Sequence, residues 1–135
     1  MAEEKGSIWE DLILAILSTN NYSLEKTYST IEALRRERLF DPQNLVRWTS
    51  EEIGARLRRG GYDRGDFMTR LFADRLSSLG QFLKSVGIEE CERVLQKGKT
   101  SEVSKLLLTV KGIGPRVLES FFLLRTDTGT SAKPR

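Results

Sequence analysis

From about residue 8 to residue 125 the apolar side chains recur every three or four positions, the spacing that lines one face of an α-helix. Alternating strand patterns and Asn-Gly or Asp-Gly hairpin turns are missing. The pattern predicts an all-α fold, a compact helical bundle. Ser7 and Glu10 have capping-box spacing ahead of a helix over 8–17. There Ile8, Leu12, Ile13, Ile16 and Leu17 form an apolar stripe that Leu14 and Ala15 extend around the cylinder, as expected of a central, buried helix. A second helix is predicted over 24–38, with Tyr28, Ile31 and Leu34 inward and Glu32, Arg35, Arg36 and Glu37 on a solvated face.

Asp41-Pro42 starts a short helix through Leu45, Val46 and Trp48, because the carboxylate caps and the proline is preset for the first helical position. Thr49 and Glu52 form a second capping box before a helix carrying Ile53 and Leu57, which stops at Gly60-Gly61. The next helix restarts from Asp63, and Phe67, Met68, Leu71, Phe72, Leu76, Leu79, Phe82, Leu83 and Val86 keep its period as the other main core element. Gly80 within it is expected at a close helix crossing. A short helix over 88–96 follows, and Thr100 is expected to cap the next after the turn at Gly98-Lys99. Trp9 and Trp48 lie near apolar stripes and read as core.

The 135 residues suit one domain, assigned to 1–125, with a polar, aperiodic and flexible tail over 126–135. The net charge of +3 is modest, but arginine, whose planar fork fits phosphate, is abundant among the cations. Composition permits a nucleic-acid partner without requiring one. The single cysteine, Cys91, excludes an internal disulfide and any cysteine-ligated zinc or iron-sulfur cluster. With no histidine, a histidine base, zinc ligand or serine-histidine triad is impossible. No apolar run approaches a membrane helix and the first residues lack the apolar stretch of a signal peptide, so no membrane partner is expected and the location reads as cytoplasmic, nucleoid-associated or nuclear if bound to DNA.

The segment that carries chemistry spans 106–122, where an apolar helix end, Leu106-Leu107-Leu108, meets Lys111-Gly112-Ile113-Gly114-Pro115-Arg116 and a second apolar helix begins at once. The two glycines let backbone approach a bulky partner, and Ile113 between them tucks inward. Pro115 fits the first helical position, so free amides and the positive end of the helix dipole point out of the turn as an anion site. Lys111 and Arg116 flank it with positive charge. Such a site suits a DNA phosphate contact that positions a duplex without reading bases. The bland alternative is an ordinary tight turn between two core helices. A second basic stretch, Arg56, Arg58, Arg59 and Arg64, reads either as phosphate contacts or as a solvated helix face, and Tyr62 within it either stacks on a base or packs beneath the loop.

At these residues the chain resembles the helix-hairpin-helix DNA glycosylase superfamily, most closely its endonuclease III-like branch, over about residues 9 to 125. Leu14 to Asn20 looks like the early family helix and its DNA-facing loop. Asn20 stands where an amide side chain enters the gap left by a flipped base. Ile53 through Arg64 looks like the second DNA-facing loop, and Val110 to Arg116 like the hairpin. The resemblance implies DNA contacts at Asn20, Arg58, Arg59, Tyr62, Arg64, Lys111, Gly112, Ile113, Gly114 and Arg116. It also implies a monovalent cation on the carbonyls of Leu108, Val110 and Ile113; with one cysteine and no histidine, no other cofactor is expected.

The departures bear on catalysis. Lyases of this family place a Schiff-base lysine two residues after the second hairpin glycine, where this chain has Arg116, a guanidinium that stays protonated. The family's catalytic aspartate would fall at Lys133-Pro134, and Asp127-Thr128 comes too soon. The second loop has Gly61 in place of the apolar wedge, and the four-cysteine cluster segment is missing. No catalytic residue is therefore assigned. The reading is a double-stranded DNA binder, for intact, damaged or abasic duplex, built on the six-helix-barrel half of the glycosylase architecture. The alternatives are a glycosylase or abasic-site lyase that uses another carboxylate or gains the missing half from a partner chain, and a helical protein-interaction domain.

Overall fold

The computed structural model of the protein describes residues 8–18 and 31–129, with side chains up to residue 125. Every regular element among the described residues is helical: α1 (Ile8–Leu17), α2 (Ile31–Arg36), α3 (Pro42–Arg47), α4 (Ser50–Arg59), α5 (Asp66–Val86), α6 (Ile88–Lys97), α7 (Thr100–Leu108) and α8 (Pro115–Gly129). The all-α expectation holds, and none of these helices is long and apolar enough to cross a membrane.

α1 is buried on every side and packs chiefly against α8, with α5 and α6 also touching it. Its apolar residues are almost fully enclosed, and at about 1.5–3 kcal/mol for each large aliphatic side chain removed from water this helix is the main organiser of the core. Its first turn is also buried, which forces three polar side chains to find partners. Trp9 Nε1 donates to Glu92 Oε1 on α6 at 2.7 Å. The Arg35 guanidinium on α2 grips both Glu10 oxygens, at 3.1 and 2.8 Å. Arg125 Nη1 on α8 donates to Asp11 Oδ2 at 2.7 Å. The first turn of α1 thus fastens three other helices. Glu10 serves Arg35, while Ser7, its expected capping partner, lies outside the described residues.

α3 and α4 both pack on α5, the longest helix. The caps at Asp41 and Thr49 form, with Gln43 N donating to Asp41 Oδ1 at 3.0 Å and Glu52 N to Thr49 Oγ1 at 3.1 Å, but the second half of the expected capping box does not, because the Glu52 carboxylate accepts from Arg56 Nε at 2.7 Å instead. Gly80 marks a close crossing, since a Cβ there would stand 2.1 Å from the Leu45 carbonyl oxygen on α3.

Several boundaries differ from the sequence reading. The described part of the second helix covers Ile31–Arg36, Tyr28 lies outside the described residues, and the chain turns away at Arg38 with φ +64°. α5 starts at Asp66, not Asp63, because the Asp63 carboxylate accepts from Gly65 N at 3.1 Å and holds a turn that Gly65 leaves with φ +91°. Thr100 is the first residue of α7 and not its cap, and the Lys99 amide donates to Glu102 Oε1 at 3.0 Å instead. The backbone remains helical to Gly129, past the expected end of order at 125. Two apolar residues assigned to the core of α5, Phe67 and Val86, are exposed at its ends.

Candidate nucleic-acid interface

The connection between α7 and α8 is short and internally braced. Val110 N donates to Leu107 O at 3.0 Å, Ile113 N to Val110 O at 3.1 Å, and Leu118 N to Gly114 O at 3.2 Å. Val110 and Ile113 plug their side chains into the core, as the sequence suggested for Ile113. This bracing corrects one expectation: the amides of Val110 and Ile113 face inward, so they offer nothing to a ligand. The amides of Gly112, Gly114 and Arg116 have no acceptor among the described residues, and Pro115 contributes no N–H at the first position of α8. Gly112 sits at φ +94°, where a side chain would be strained, while the space around Gly114 is open to 4 Å.

Beside the turn lies an arginine that the sequence reading did not select. A Cβ on Gly112 would meet Arg75 Cγ at 2.8 Å, so the glycine allows the stem of Arg75 to lie against the turn backbone. The Arg75 guanidinium carbon is 5.0 Å from the Phe72 ring centroid, and that of Arg64 is 5.1 Å from the same ring. Phe72 in turn meets Tyr62 edge-on, with centroids 6.0 Å apart. One buried ring therefore positions two guanidiniums. Between α5 and the turn opens a cleft of about 550 Å³ that Arg75, Ser77, Ser78, Lys111 and Asp74 help to line. Arg75, Lys111 and Arg116 have no acidic partner among the described residues.

The arginine run behaves differently. Arg56 lies 4.0 Å over the Trp48 ring and pairs with Glu52 at 2.7 Å and Glu37 at 3.5 Å. Arg59 pairs with Glu37 at 3.2 Å, and Arg58 approaches Asp66 at 3.4 Å. Glu37, read as solvated, is the acid between two of these arginines. Tyr62 is fully buried and its hydroxyl donates to Leu17 O at 2.6 Å, so it packs beneath the loop and cannot stack on a base. Of the loop residues, Arg64 shares the Phe72 ring with Arg75. Asn20 lies outside the described residues.

The carbonyl of Val110 keeps one lone pair after accepting from Ile113, and those of Leu108 and Ile113 accept no hydrogen bond among the described residues. These three carbonyl oxygens with spare acceptor capacity are of the donor type a hard cation takes. Groups with catalytic potential are less promising. The Cys91 thiol is buried, which together with Glu90 pushes its pKa up to about 11. Burial raises the Asp11 carboxyl above its ordinary range, and the Arg125 contact only partly opposes this. Both are enclosed in the core, away from the turn. Asp127 lies beyond the described side chains.

Set against known protein families, curated proteins and solved structures, the chain matches none of them.

Proposed function

We propose that the protein binds the sugar-phosphate backbone of double-stranded DNA through the α7–α8 turn, as a helix-hairpin-helix module of the base-excision-repair glycosylase kind that does not itself excise bases. The observation that carries this reading is the coincidence of three amides without an acceptor among the described residues, at Gly112, Gly114 and Arg116, with three cations without an acidic partner among them, at Arg75, Lys111 and Arg116. Amides at a helix start and guanidinium groups both favour phosphate oxygens, and neither reads sequence. Arg116 in the position of the family's nucleophilic lysine supports binding without lyase chemistry.

Three phosphate contacts correspond to a slope of log affinity against log salt of roughly −3, which weakens binding about fortyfold between about 50 and 200 mM salt. Fluorescence anisotropy with a labelled duplex at those two concentrations tests this, and an affinity that salt leaves unchanged contradicts it. An abasic duplex should remain uncut on a denaturing gel and should form no borohydride-trapped adduct. If no DNA is bound at all, the half-exposed Leu108 and Leu123 on α7 and α8 favour the helical protein-interaction reading.

A further inference from the structure

Phe67 is the most exposed large apolar side chain among the described residues, at 76% of its surface. It lies in the first turn of α5, one helical edge along from Leu71 and Arg75. By helical rise, Phe67 is about 12 Å from Arg75 and the turn, roughly three and a half base-pair rises. Beside it, between α4 and α5, runs a groove of about 590 Å³ lined by the small residues Gly54 and Ala73, where a Cβ on Gly54 would stand 3.6 Å from that of Ala73, and by Arg58, Arg70 and Ser50. Arg70 has no acidic partner among the described residues.

We propose that Phe67 is a stacking platform for an unpaired base of the DNA held at the α7–α8 turn, with Arg70 beside it and the adjoining groove taking the base edge. This rests on the backbone-binding reading above. The surroundings decide the occupant. An apolar protein side chain docked here would bury Arg70 and the Glu51 carboxylate, which have no ionic partner among the described residues, and that is costly. A nucleobase has a flat π-face for the ring and the guanidiniums, and polar edges that hydroxyl, carboxylate and guanidinium groups satisfy. A fully paired duplex keeps its bases stacked internally and gives Phe67 nothing to cover, so the platform adds preference for DNA with an unpaired base, not general affinity.

The test uses the full chain and two probes, a fully paired duplex and the same duplex with one bulged adenine, in anisotropy titrations at one salt concentration. Base-aromatic stacking predicts that the bulged probe is bound on the order of tenfold more tightly. Phe67→Ala should remove that preference and leave the affinity for the paired duplex unchanged, and Phe67→Trp should keep it. A wild-type protein that binds both probes equally, or a Phe67→Ala protein that retains the preference, overturns the proposal while leaving backbone binding intact. Failure to bind either probe overturns the backbone reading, and this one with it.

Discussion

Two cationic regions lie on the same molecule, and they differ in what surrounds them. In α4 the arginines are dense in sequence, yet Arg56 and Arg59 converge on Glu37, Arg56 also holds Glu52, and Arg58 approaches Asp66. Along α5 and the α7–α8 turn the cations are scattered in sequence, yet Arg75, Lys111 and Arg116 form no ion pair among the described residues and stand beside amides that find no acceptor among them. The difference teaches that available positive charge depends on where the carboxylates fold, not on how many arginines share a segment. The first region holds α2 to α4; the second is free to hold something else.

Reversing charge in the second region has the largest expected effect. The double change Arg75→Glu and Lys111→Glu removes two cations and adds two anions, so duplex affinity should fall at least about hundredfold, since four changes of charge act at a backbone carrying one charge per roughly 1.7 Å. Circular dichroism should show an unaltered helical spectrum, because Lys111 is exposed and Arg75 lies at the edge of the core. A smaller effect is expected in the first region. Glu37→Ala should lower stability in urea by about 1 kcal/mol, discounted for the exposure of Arg59, and leave duplex affinity unreduced. A loss of DNA binding in that variant would erase the distinction between the regions.

Much of the frame was legible because it is local. The stripe of α1, the caps at Asp41 and Thr49, the stop at Gly60-Gly61 and the start of α8 at Pro115 each depend on residues a few positions apart. The close crossing at Gly80 was also foreseen, since a glycine inside an apolar helix needs a packing reason. What could not be read is set by partners distant in the chain: Glu92 for Trp9, 83 residues away, and the Glu37 backbone carbonyl for Arg56, 19 residues away. Arg75 was missed for the same reason, as nothing near it in sequence points to Gly112. Phe67 misled differently. It keeps the apolar period of α5, but it stands in solvent at the rim of the groove between α4 and α5.

The smallest expected effect concerns Arg38. It holds φ +64°, a conformation that costs a side-chain-bearing residue about 1 kcal/mol, and glycine's larger unfolded-state entropy offsets part of the relief, so Arg38→Gly should raise stability by about 0.5 kcal/mol in a urea titration. Because Arg38 sits at the far end of α2, beside the paired arginines, duplex binding should not change.

The most direct test compares salt slopes for three single variants, Arg75→Ala, Lys111→Ala and Arg59→Ala, against the parent protein on one duplex. The first two should each flatten the slope of log affinity against log salt by about 0.9, while Arg59→Ala leaves it as it was. A slope that flattens with Arg59 and ignores Arg75 and Lys111 would place the DNA on α4 and contradict the account.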